Sequence, residues 1–70
     1  MDRLKIAILG CNGIAYNHGH AVKQMGGLRF IACCDRNEVV LKKYAGTFGL
    51  VAYADAEALV EKERPDIVII

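Results

Sequence analysis

The apolar residues of this chain fall into short blocks that alternate between two spacings. Leu4-Lys5-Ile6-Ala7-Ile8-Leu9 is a compact apolar run closed by Gly10, which predicts a buried strand. From there the period lengthens. Ile14, His18, Ala21, Val22 and Met25 recur at helical spacing, and Gly26-Gly27 stops that helix. Leu28 to Cys34 is a second strand-like run, ended by Asp35. Asn37 stands where it can cap a second helix, with Leu41, Tyr44, Ala45 and Phe48 inward and Gly49 as terminator. Val51-Ala52-Tyr53 predicts a third strand. Asp55 then caps a third helix that carries Ala56, Leu59 and Val60 inward. Arg64-Pro65 ends it, because the residue before a proline is pushed out of the helical region. Ile67-Val68-Ile69-Ile70 predicts a fourth strand.

The predicted order is β-α-β-α-β-α-β. Helices between strands imply an α/β fold with parallel pairing and right-handed crossovers. In the doubly wound arrangement, these strands lie in the order 3-2-1-4, with a ligand crevice between strands 1 and 4. The chain shows no internal repeat, linker or low-complexity segment.

The first loop carries the chemistry. It reads Gly10-Cys11-Asn12-Gly13-Ile14-Ala15, between a strand and the helix it feeds. The dinucleotide fingerprint is G-x-G-x-x-G/A in that setting. Gly10 suits the tight turn off the strand, and Ala15 is small enough for close packing of helix on strand. Amides at the helix start donate to a pyrophosphate, whose charge the helix dipole also favours. Asn12 departs from the fingerprint's second glycine. Asparagine tolerates the left-handed conformation better than most residues, so the reading is weakened binding, with Gly13 absorbing part of the strain. The second strand ends in an acid, Asp35, about 20 residues beyond Ala15 as the fingerprint asks. A carboxylate there accepts from both adenosine ribose hydroxyls and repels a 2′-phosphate, which favours NAD over NADP. Arg36 pulls the other way, since a guanidinium can stack on adenine or pair with a 2′-phosphate. Singly, Asp35 could merely open a turn, and Gly10 and Gly13 could be ordinary turn glycines.

Composition narrows the classes. Seventy residues make at most one small domain, which buries only about 60% of its unfolded surface. A hydrophobic fraction of 54% suits strands buried on both faces, and suggests a piece of something larger. A formal charge of +1 gives no electrostatic footprint for nucleic acid or an acidic membrane. The first apolar stretch is too short for a signal peptide or a membrane span. Cys11, Cys33 and Cys34 are odd in number, lack C-x-x-C spacing, and read as small buried thiols of a cytoplasmic protein. His18 and His20 point to different sides of a helix, so they read as one packed and one solvated histidine, not as metal ligands. Tyr16, Tyr44 and Tyr53 read as packing residues, and Lys42-Lys43 and Glu61 to Arg64 as solvated faces.

Four segments together resemble a known family. Lys5 to Ala15 followed by His18 is similar to the opening of the glucose-fructose oxidoreductase / inositol dehydrogenase (Gfo/Idh/MocA) family. Phe30 to Arg36 resembles its second strand with the acidic ending. Tyr53-Ala54-Asp55 with Leu59 resembles its third strand and helix, and Pro65 to Ile70 its fourth strand. The resemblance implies a two-domain, oligomeric oxidoreductase: an N-terminal Rossmann domain for NAD(P), and a C-terminal domain that shapes the site for a sugar, cyclitol or related polyol. It implies that Gly10, Cys11, Asn12, Gly13, Ile14 and Ala15 line the pyrophosphate, and Asp35 and Arg36 the adenosine end. The family's catalytic lysine, in a Glu-Lys-Pro motif, falls beyond Ile70, so no catalytic residue is assigned here. Two rival readings fit the same residues: a nucleotide-sensing module without chemistry, and a scaffold that has lost its cofactor.

Overall fold

A computed structural model describes residues 3–70. Its elements run β1 (Leu4–Leu9), α1 (Gly13–Gln24), β2 (Leu28–Cys34), α2 (Glu38–Phe48), β3 (Val51–Tyr53), α3 (Ala56–Glu63) and β4 (Ile67–Ile69). The strands form one parallel sheet in the order β3-β2-β1-β4, as the sequence predicts.

The sheet is covered on both faces, which is why its strands read as nearly continuous apolar runs. On one face Ile6, Ile8, Phe30 and Cys33 pack with Ala15 and Val22 of α1 and Leu41, Tyr44, Ala45 and Phe48 of α2. On the other, Ala7, Ala32 and Cys34 pack with Leu59 of α3. Cys33 and Cys34 thus face opposite ways, as adjacent strand residues must. The simple alternation is broken once. Ile6 pairs with Phe30 but Ala7 pairs with Ala32, leaving Ile31 as the extra residue of a bulge in β2.

Of the α1 positions that the apolar spacing picks out, Val22 alone is buried. Ala15, Gly19 and Val22 are buried, whereas Ile14, His18, Ala21 and Met25 are exposed. The reason is spatial. Rings of Tyr16, Tyr44 and Phe48 fill the gap between α1 and α2, and the Tyr44 hydroxyl donates to the Ala15 carbonyl at 2.6 Å. The helix surface facing them must therefore be small. Val60 is likewise exposed rather than inward. It lines a shallow hollow with Ala56, Glu57 and Glu61, while Leu59 alone is fully covered on α3. Ile70 lies past the end of β4 and is exposed.

The caps fall where expected. Asn37 Oδ1 accepts from the Val39 and Val40 amides at 3.0 and 3.2 Å, and Asp55 Oδ1 from Glu57 at 3.3 Å. Gly49 ends α2. Arg64 ends α3 in the left-handed region, with φ 47°, immediately before Pro65. The turn that follows is tied to the start of β1. The Lys5 amide donates to Asp66 Oδ2 at 2.7 Å, and the Asp66 amide donates back to the Lys5 carbonyl at 2.8 Å.

Candidate dinucleotide site

Strand register decides where the candidate residues meet. Leu9, Cys34 and Tyr53 end their strands side by side, so the loops that follow share one edge of the sheet. The bulge at Ile31 advances β2 by one residue against β1. Without that advance Gly10 would lie level with Cys34; with it, Gly10 lies level with Asp35.

Gly10 leaves β1 with φ +98°, a conformation that side-chain-bearing residues rarely adopt, and its amide donates to the Cys34 carbonyl at 2.8 Å. Cys11 then turns inward and is almost fully buried, its thiol donating to the same carbonyl at 3.5 Å. Its amide donates to Asp35 Oδ2 at 2.9 Å, so Cys11 has no N–H left for a phosphate. The Ala15 amide is likewise engaged, by the Asn12 carbonyl at 2.7 Å. Of the six loop residues assigned to the pyrophosphate, Asn12, Gly13 and Ile14 remain as amide donors at the open start of α1. Asn12 itself is in extended backbone, φ −79° and ψ 177°. No left-handed strain arises there, which corrects the expectation: the loop's unusual φ sits at Gly10.

The start of α1 differs from the other two helices. Asn12 makes no side-chain cap bond, and the first turn holds no acid. By contrast, α2 and α3 are each capped by a side chain and carry Glu38 or Glu57 in the first turn. The positive end of α1 is therefore neither capped nor neutralised by the protein. A Cβ built on Gly13 would meet no protein atom within 4 Å, so packing within the domain does not require a glycine there.

Asp35 is half-buried and held by both oxygens, Oδ2 by Cys11 and Oδ1 by the Asn37 amide at 2.8 Å. These bonds, Cys11 first, hold its carboxyl below its ordinary value of 3.8. A carboxylate has about four acceptor positions, so about two remain free, enough for the two hydroxyls of a ribose. Because the folded value is depressed, Asp35 contributes its stabilisation fully above the ordinary carboxylate range and loses it as pH falls through the folded value. The stability difference between wild type and Asp35→Asn is therefore expected to stay flat from neutral pH down to about 5 and to shrink below it. Urea titrations at stepped pH check this, and a difference that changes between pH 7 and 5 would count against it.

Beside the loop, a crevice of about 210 Å³ is lined by Leu9, Gly10, Asn12, Ile14, Ala15, His18 and Ile70. It lies at the carboxyl end of β1 and β4, where the fold reverses its strand order. His18, read from sequence as a packing or solvated residue, lines this crevice. His20 lies edge-on to Phe48, with ring centroids 5.0 Å apart. Among the described residues no three His, Cys, Asp or Glu side chains group as metal ligands. Burial pushes the Cys33 thiol up to about 12 and raises Cys11 and Cys34, so all three are protonated at neutral pH. Arg36 is exposed next to Asp35. No helix among the described residues is long and apolar enough to cross a membrane.

Comparison with known proteins agrees with this geometry. A family model for the Gfo/Idh/MocA proteins, described as an oxidoreductase family with an NAD-binding Rossmann fold, matches residues 4–70. The chain belongs to that family. Gfo/Idh/MocA relatives include two D-apiose dehydrogenases. That of Paraburkholderia graminis is 35% identical over 69 residues, which is 97% of this chain and 18% of that protein. That of Rhizobium rhizogenes is 42% identical over 60 residues, 84% of this chain and 17% of that protein. An oxidoreductase from Agrobacterium radiobacter, crystallised with NAD+, L-tartaric acid and magnesium, superposes with a TM-score of 0.88. It is 39% identical over 94% of this chain and 20% of its own. The chain spans about one fifth of the length of these relatives.

Proposed function

We propose that this chain is the NAD(H)-binding part of an oxidoreductase that acts on a secondary alcohol of a sugar, cyclitol or related polyol. The observation that carries the cofactor reading is Asp35. Its two free acceptor positions suit ribose hydroxyls, and its two backbone bonds keep it from turning aside for a 2′-phosphate. The Asn12, Gly13 and Ile14 amides at the open start of α1 would take the pyrophosphate. Arg36 would lie along the adenine, and the crevice bearing His18 would receive the nicotinamide end. The nicotinamide, when bound, supplies the hydride acceptor or donor. The substrate class rests on kinship with the D-apiose dehydrogenases. Buried, protonated cysteines suit a cytoplasmic protein, and the family resemblance suggests an oligomer.

Calorimetric titration of the full protein with NADH and NADPH tests the cofactor. NADH is expected to bind at least about tenfold tighter, because close like charges cost several kcal/mol. Equal affinity would remove Asp35 as the discriminating residue. Binding of neither would turn the reading toward a scaffold.

A further inference from the structure

We propose that Asp35 is also the positioning residue of the glycine-rich loop, setting the start of α1 before any adenosine arrives. The proposal rests on the dinucleotide reading above for the identity of the ligand. Cys11 and Asp35 lie 24 positions apart, yet the Cys11 amide and Asp35 Oδ2 are 2.9 Å apart. Three bonds tie the turn from β1 into α1 to the end of β2: Gly10 N–H to the Cys34 carbonyl, the Cys11 thiol to the same carbonyl, and Cys11 N–H to Asp35. Only the last involves a charged partner, which makes it the strongest of the set. The second oxygen of Asp35 is anchored by Asn37 N–H at 2.8 Å, so the carboxylate is a fixed strut between the two loops.

The next residues after Cys11 are Asn12, Gly13 and Ile14, whose amides would take the pyrophosphate. Asp35 therefore touches the ribose directly and acts on the pyrophosphate through Cys11. The two ends of the cofactor site are coupled through one side chain. Exchanging Asp35 to admit NADP would loosen the phosphate end for both cofactors.

The test uses the full protein, ¹⁵N-labelled, and reduced nicotinamide mononucleotide, which carries a phosphate and a nicotinamide but no adenosine ribose. In Asp35→Ala without ligand, hydrogen exchange at the Cys11 amide is expected to quicken about tenfold or more. Affinity for the mononucleotide is expected to fall by a similar factor. Asp35→Asn keeps one acceptor oxygen and should lie between the two. If Asp35→Ala weakens NADH but leaves the mononucleotide and Cys11 exchange unchanged, Asp35 serves the ribose alone and the proposal is overturned. If the wild type binds neither ligand while Asp35→Ala still frees the Cys11 amide, the loop role stands and the dinucleotide reading fails alone. Should Asp35→Ala not fold, the wild type decides: its Cys11 amide resonance must move as Asp35 titrates, and a static resonance overturns the proposal.

Discussion

Replacing Gly19 by valine is expected to destabilise the domain by about 3 kcal/mol, a large share of the roughly 4–10 kcal/mol that 70 residues of folded protein carry. Gly19 is buried where α1 meets α2. A Cβ there would lie 2.5 and 2.7 Å from Phe48 ring carbons and 2.7 Å from the Tyr44 hydroxyl. Phe48 cannot simply retreat, since its ring is packed among Tyr16, His20, Phe30 and Tyr44. The Tyr44 hydroxyl is fixed on the Ala15 carbonyl. Alanine would meet the same overlap, offset by up to about 1 kcal/mol of helix propensity. Valine adds two further carbons and a weaker propensity. Urea denaturation of the two variants measures the loss. Adding Phe48→Leu to Gly19→Ala should recover about 1 kcal/mol beyond the sum of the single changes. A Gly19→Val protein within about 0.5 kcal/mol of wild type would show that the helices can move apart freely.

Gly10→Val should fail for the opposite reason. A Cβ at Gly10 meets nothing within 4 Å, so space is not the issue; the difficulty is φ +98°. Forcing a β-branched residue into that backbone costs about 1–3 kcal/mol. The loop can relieve the strain by pulling the Gly10 and Cys11 amides off the Cys34 carbonyl and Asp35. Stability is expected to fall by that amount, and NADH affinity by about tenfold or more. Denaturation and calorimetry on the same preparation separate the two effects. Unchanged affinity in a destabilised protein would mean that the loop's path does not depend on Gly10.

The strand order was legible because apolar runs, glycine stops and polar caps at Asn37 and Asp55 agree with one another. The helical stripe of α1 was not. Apolar spacing gives weight to large side chains such as Ile14 and Met25, and the buried positions here are Ala15 and Gly19, chosen for smallness against aromatic neighbours. Gly19 between two histidines carried no signal of that role. Val60 misled in the simpler way, as an apolar residue beside the true contact at Leu59. Within the site, the identities of Gly10 and Asp35 were readable from their places at strand ends. Their relation was not, because it depends on the unpaired Ile31 that brings Asp35 level with Gly10. The concern over Asn12 assumed a left-handed residue at that point, and the loop makes its turn two residues earlier.

The bonds between Lys5 and Asp66 join residues 61 positions apart. β1, made before the other three strands, lies inside the sheet, between β2 and β4. At about 5–20 residues per second on the ribosome, β1 waits roughly 3–12 s for that neighbour to be made. Throughout that interval Ile6, Ala7 and Ile8 present an unpaired apolar edge to whatever else is nearby. Until residue 67 has left the exit tunnel, that side of β1 has no partner strand in this sheet.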